Sequence, residues 1–328
     1  MKKFVKLLIY SFVLLLMPMG FAASNAEQPT VIPAYEQSQY DQEIQQLFQS
    51  ISTKKTSDIK AKLAAYSAYF LGKPYLFDAA GEGENSRYNQ NPLYRTDAFD
   101  CVTYVNTIVS LAESNNLAQF QRNIKNINYR NGKPAFINRN HFMETDWNLN
   151  NAHKGYVRDI TASFVDNQGK PISVSQEIRI DKPNWFLSMN VSQLKLLQPL
   201  SPSAIQQRLR ELQSFSRYFS PQNSQLVYLP MTRLFDAQQQ PVDSIFNQIP
   251  SGSIIEIVNP RAKLENQIGT PLYISHIGLA IRTPNGLMFR EASSYLHRVA
   301  DVPLAHYLLV YLHMNNYTGI NIQEVLKV

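Results

Sequence analysis

A single cysteine, Cys101, stands in a chain of 328 residues. A lone thiol cannot close an internal disulfide, so whatever this chain folds into must be held by its own core rather than by cross-links. The constraint matters because the N-terminus has the layout of a secretory signal. Lys2, Lys3 and Lys6 form a basic start, Leu7 to Met17 an apolar run, and Gly20-Phe21-Ala22-Ala23 a small-residue exit. The apolar run falls short of the roughly 20 residues that a membrane-spanning helix needs. A cleaved signal over residues 1–26 is therefore expected, with an exported, periplasmic or secreted product and no stable membrane anchor after cleavage. No cysteine stands at the exit to carry a lipid. The roughly 300 mature residues are enough to bury one large core or two smaller ones.

The formal charge of +6 falls to +3 once the three signal lysines are removed, too weak a bias to argue for a nucleic-acid partner. The histidines are not at spacings that suggest a zinc site, and neither a metal nor another cofactor is expected. Residues 27–56 are rich in Gln, Ser and Tyr and carry a helical patch at Ile44, Leu47, Phe48 and Ile51, which reads as an N-terminal arm or helix lying on the main body. A better helix starts at Ser57-Asp58, buries Ile59, Leu63, Tyr66 and Phe70, and stops at Gly72 and Pro74. The stretch from Lys73 to Asp97 has turn residues throughout and no period. Irregular loops of this length are more often functional than idle.

That loop leads into Phe99-Asp100-Cys101-Val102-Thr103-Tyr104-Val105, where Val102, Val105, Val109 and Ala112 fall at helical spacing. Asp100 is placed to cap the helix. Cys101 then sits at the positive end of the helix dipole, which favours thiolate over thiol. A buried, inert cysteine is the plainer alternative. The polar neighbours Asp100 and Thr103 count against it and point to a nucleophile in need of a base.

Further on, a helix is expected around Phe120 to Ile127 and a hairpin turn at Tyr129-Arg130-Asn131-Gly132-Lys133. The cluster from Asn138 to Trp147 contains Arg139, Asn140, His141, Asp146 and Trp147, a composition that suits either a polar-ligand surface or a loop bracing the core. Ile160–Phe164 and Glu177–Ile180 read as a strand pair around Gly169-Lys170-Pro171, and Ser203 to Phe215 as a helix. The stretch 150–250 carries no catalytic signature.

The last third is β-rich: Ile254–Val258, Ser275–Ile281 and Leu287–Ala292 read as strands. An Asn285-Gly286 two-residue hairpin would pair Pro284 with Leu287 and set residue 280 opposite residue 291. His276, Gly278, Ala280 and Glu291 then share one face, unless the loop is one residue longer. A strand histidine with room beside it is the base that the thiol needs, and Glu291 is placed to orient the ring.

In that order, the Cys101 segment, Pro250-Ser251-Gly252-Ser253-Ile254, Ser275-His276-Ile277-Gly278 and Phe289-Arg290-Glu291-Ala292 resemble the NlpC-type cell-wall cysteine peptidases. The segment from Tyr129 to Trp147 is similar to the N-acetylmuramoyl-L-alanine amidase-like branch of that superfamily. The resemblance spans about Ser57 to Asn321. It implies a papain-like α+β fold, with the nucleophile at the start of a helix packed on an antiparallel sheet. It also implies a single catalytic domain over residues 57–328, in which 150–250 is an inserted, substrate-shaping region. The implied reaction cleaves the amide between the lactyl group of N-acetylmuramic acid and L-alanine in peptidoglycan or muramoyl-peptide fragments, by a monomer. Cys101 would be nucleophile, His276 base and Glu291 the third member, a position usually held by His and sometimes by Asn or Gln. Tyr75 and the Cys101 backbone would hold the oxyanion, and Arg139, Asn140, His141, Asp146 and Trp147 the substrate. An endopeptidase cutting between D-glutamate and the diamino acid, a non-catalytic peptidoglycan-binding protein and an acyl transferase are the alternatives.

Overall fold

The computed structural model describes residues 28–51, 58–259, 265–313 and 318–328. The expected signal at 1–26 lies outside the described residues. Four helices come first in the chain: α1 (Gln37–Ser50), α2 (Ile59–Tyr69), α3 (Cys101–Ala112) and α4 (Leu117–Asn128). Helix α3 starts where the sequence says it should. The Asp100 carboxylate accepts the Thr103 backbone N–H at 2.7 Å, and the Thr103 hydroxyl accepts the Asp100 N–H at 2.9 Å. This reciprocal cap occupies two donors that a helix start otherwise leaves free. From Tyr104 to Ala112 every residue of α3 is buried, as expected for a helix apolar on most sides. Helix α1 places Tyr40, Ile44 and Leu47 in the same core as α2 and α3, so this part of the expected arm belongs to the body.

The sheet is antiparallel and eight-stranded among the described residues. Its strands are β1 (Val157–Asp159), β2 (Val174–Ile180), β3 (Gln222–Pro230), β4 (Ser253–Val258), β5 (Ile274–Thr283), β6 (Gly286–Ser293), β7 (Arg298–Pro303) and β8 (Gly319–Val325). The order is β2-β3-β8-β4-β5-β6-β7, with β1 also paired to β8. Two cores cover its two faces. Ile277, Leu279 and Ile281 of β5 pack with the helices α1 to α4, whereas Ala280 and Phe289 pack with Leu304 and Leu308. The strand period of two thus sends alternate residues of β5 to different cores.

Between β2 and β3, α5 (Lys182–Leu187) and α6 (Pro202–Gln213) build a third apolar cluster around Phe186, Leu194, Ile205 and Leu212. The last helix, α7 (Leu304–Leu312), follows β7. Among the described residues no helix is long and apolar enough to cross a membrane.

Three local expectations are corrected. Tyr129–Lys133 turns, with Gly132 N–H on Tyr129 C=O at 3.1 Å, but it joins a helix end to a single bridge with Arg139 and makes no hairpin. Residues 161–163 form a 3₁₀ turn, and Glu177–Ile180 pairs instead with Gln222–Gln225. The β5–β6 hairpin turns on Pro284-Asn285 and pairs Thr283 with Gly286. Proline suits the first central position of a turn, and here only Gly286, not Asn285, takes the positive φ that an Asn-Gly turn of the mirror type requires of both. Residue 280 therefore faces Phe289 rather than 291. The shift is two residues, so Glu291 keeps the face that the sequence gives it.

Candidate active site

Cys101 is the first residue of α3 and is half-buried. Its approach is held from two directions. Phe99 N–H donates to Pro74 C=O at 3.0 Å and Leu76 N–H to Phe99 C=O at 2.9 Å, while Tyr75 N–H donates to His297 C=O at 3.0 Å. Tyr75 is thereby fixed between the residue two before the nucleophile and the turn leading into β7. The second oxygen of Asp100 accepts Ala79 N–H at 3.0 Å, tying the loop after Tyr75 to the same helix start.

His276 lies near the start of β5, just past an irregularity where Val258 pairs with Ile274 and Ile257 with His276. Its Nε2 hydrogen-bonds to Oε2 of Glu291 on β6, which leaves Nδ1 for another partner. The Glu291 side chain is almost fully enclosed and that of His276 is 16% exposed, so the ring retains one open side. Burial alone would lower the imidazole pKa. The neighbouring Glu291 carboxylate and Cys101 sulfur overcome that and push it up to about 10, so His276 is an imidazolium at neutral pH. The Tyr75 phenol is pushed above its ordinary value by burial and by the charges of Cys101, Asp100 and Glu291, so it stays a proton donor. Cys101, His276, Glu291 and Tyr75 are thus brought together.

The floor of this group escaped the sequence. Phe289, two residues before Glu291, lies with its ring 5.9 Å from the His276 ring, and Tyr307 of α7 lies 6.4 Å away. Glu144 is a further omission: buried, it accepts both Tyr273 N–H at 2.9 Å and Ile274 N–H at 2.6 Å, pinning the chain just ahead of His276. The alternation Phe289-Arg290-Glu291 was the available signal for Phe289; nothing local marks Tyr307 or Glu144.

The expected ligand-gripping residues divide. Trp147 is buried and donates Nε1–H to Asn106 at 2.9 Å, so it braces the core, whereas Asn140, donating to Ile127 C=O at 2.8 Å, sits at the edge of the group that faces outward. Trp147, the last residue of a π-helical turn over Met143–Trp147, presents no face to a ligand, which corrects its expected role. Arg139, Asn140, His141 and Asp146 line a small, solvent-open hollow with Lys182, Trp185 and Phe219. Arg139 donates to Glu82 at 2.8 Å and faces Asp78 at 3.6 Å, while Asp146 pairs with Lys182. His141, with Nε2 on Phe136 C=O, is held down to a pKa of about 3 by burial and by the Arg139 and Lys182 charges, and so is neutral. Asp78 precedes Ala79, so the hollow is joined to the Cys101 helix start through a single short loop. Among the described residues no group of three or more His, Cys, Asp or Glu side chains is placed to hold a metal ion.

The frame and the group at its centre define a class: a mixed α+β protein with an antiparallel sheet and a thiol, an imidazole and a carboxylate assembled at a helix start. The model of the N-acetylmuramoyl-L-alanine amidase-like family matches residues 65–312, three quarters of the chain, and the chain belongs to that family. A crystal structure of a protein from Legionella pneumophila str. Philadelphia 1 is 40% identical, with a TM-score of 0.84 over 88% of this chain and 95% of that one. An N-acetylmuramoyl-L-alanine amidase from Bacteroides uniformis is 21% identical, with a TM-score of 0.57 over 82% of this chain and 99% of that one. At that identity the likeness is one of fold. No curated protein sequence matches the chain.

Proposed function

We propose that the protein is an exported cell-wall hydrolase of the NlpC-type, papain-like class that cleaves the amide between the lactyl group of N-acetylmuramic acid and L-alanine. The observation that carries this reading is the placement of His276, hydrogen-bonded through Nε2 to the Glu291 carboxylate and set beside Cys101 at the start of α3. Family membership supports the bond class. Residues 1–26 act as the cleaved signal and 57–328 as one catalytic domain, in which 150–250 shapes the substrate site.

In this mechanism the Cys101 thiolate attacks the lactyl carbonyl. The C–N bond breaks as His276 hands its proton to the departing L-alanine amine, leaving a thioester on the muramoyl side. Water then attacks the thioester while His276 takes a proton, and the acid leaves. The negative oxygen of each tetrahedral stage is met by the Cys101 backbone N–H, free because it opens a helix, and by the Tyr75 hydroxyl. Glu291 keeps Nε2 engaged so that Nδ1 faces sulfur. Arg139, His141 and Asp146, with the neighbouring Asn140, form the wall against which the rest of the muramoyl peptide rests.

The test is mass analysis of muramoyl-peptide fragments incubated with the mature protein and with Cys101→Ala. Free stem peptide with an L-alanine N-terminus, formed by the first and not by the second, is the expected result. Cleavage between D-glutamate and the diamino acid would replace the proposed bond. Intact fragments with both proteins would refute hydrolysis of this substrate.

A further inference from the structure

The His276 ring is bounded by more than its two polar neighbours. Phe289 of β6 meets it at 5.9 Å with an interplanar angle of 73°, and the Tyr307 ring lies beside it, tilted by 31° at 6.4 Å between centroids. The two aromatic rings touch each other at 4.6 Å, and Tyr311 donates its hydroxyl to Tyr307 at 3.0 Å, one turn along α7. The same helix is anchored below by Leu304 and Leu308, both fully buried in the core that also holds Phe289. Gly278 makes this possible. A Cβ there would stand 2.6 Å from the Phe289 ring, so the absence of a side chain lets that ring settle under the imidazole.

We propose that Tyr307, seated on Phe289, is a positioning residue for His276: it closes an aromatic cradle that fixes the ring plane and favours its charged form. The proposal rests on the catalytic role given to His276 above. An aromatic face beside a cation attracts it through the ring quadrupole, most strongly where water is scarce. Here the cation is the imidazolium, and the carboxylate of Glu291 secures Nε2 while the rings secure the plane. Among the described residues, the ionisable groups that face the imidazole are Glu291 from β6, Cys101 from α3 and the Tyr307 phenol from α7, with Tyr75 beside Cys101 and Glu291. Of these, Tyr307 alone would act through its ring rather than its charge, which separates its contribution from the others.

The experiment is an NMR titration of His276 in the mature protein, assigned by difference from His276→Gln among the six histidines of the chain. Tyr307→Phe keeps the ring, Tyr307→Leu removes it, and Tyr307→Met serves if the leucine variant does not fold. The expected result is a midpoint unchanged in Tyr307→Phe and lowered by about 0.5 to 1 pH unit in the non-aromatic variants. The alkylation rate of Cys101 by iodoacetamide should move its basic limb in the same direction. A midpoint that stays in place in a folded non-aromatic variant overturns the proposal, as does one lowered equally by Tyr307→Phe. Neither readout requires turnover, so a wild-type protein without amidase activity would refute the proposed function and leave this result to stand or fall separately.

Discussion

Gly278→Ala is the smallest change that tests how the site is built. The added methyl would lie 2.6 Å from Phe289 Cε2, 2.7 Å from Cζ and 2.9 Å from the Arg290 carbonyl oxygen. Real side chains do not tolerate such approaches, and the atoms in the way cannot withdraw cheaply. Phe289 is fully buried, and the Arg290 carbonyl belongs to the paired strand, whose register is set by Leu279 opposite Arg290. The backbone of Gly278 is not in the left-handed region, so the cost is one of overpacking alone, about 1–3 kcal/mol. Urea unfolding should show a lower midpoint with an unchanged slope. Turnover should fall by more than the folded fraction accounts for, since a displaced Phe289 also moves the floor under His276. Phe289→Leu, added to Gly278→Ala, should recover part of the loss, giving a coupling of about 1 kcal/mol or more in a double-mutant cycle. A Gly278→Ala variant with wild-type midpoint and turnover would refute the packing argument, and additive costs in the double mutant would refute its assignment to Phe289.

Other outcomes follow from the same geometry. Asp100→Ala removes the acceptor for both Thr103 N–H and Ala79 N–H. It should cost about 1–3 kcal/mol in denaturant unfolding. The raised pKa of His276 stabilises the fold fully below its unfolded value near 6.5, and that contribution is lost as pH rises through about 10. Glu291→Gln should shrink this alkaline loss in unfolding measured against pH, since only the Cys101 contribution remains, and lower turnover about 10²-fold or more. Glu256 is wholly buried and pushed up to about 8 by burial, with the Glu144 and Asp159 charges adding to it. The folded state therefore holds a proton that the unfolded chain has released, and stability falls as pH rises from about 4.5 to about 8. Glu256→Gln should flatten that fall, with its largest relative gain above pH 8 in thermal unfolding.

What was legible in the sequence was local. Asp100-Cys101-Val102-Thr103 announces a capped helix because the cap is made by side chains three residues apart. His276 and Glu291 fell on one face despite a misplaced turn, because strand alternation tolerates a slip of two and not of one. The direction of the Arg139–Trp147 cluster was not legible. Composition cannot say which members of the cluster face inward, and the tryptophan that lines the hollow is Trp185, nearly forty residues from the buried Trp147. The partner of β2 was hidden for the same reason, since Gln222–Pro230 lies over forty residues downstream and no local pattern links them. Glu144, a carboxylate gripping the backbone ahead of His276 across 129 residues, is equally non-local.

Attack by Cys101 on the lactyl carbonyl would leave the muramoyl group on its sulfur as a thioester. Intact-protein mass spectrometry after acid quenching, with muramoyl-L-alanyl peptide as substrate, tests it directly. The expected result is a transient mass increase equal to the muramoyl acyl group, seated on Cys101 and absent in Cys101→Ala. An adduct that includes L-alanine and D-glutamate, or turnover that persists in Cys101→Ala, would contradict it.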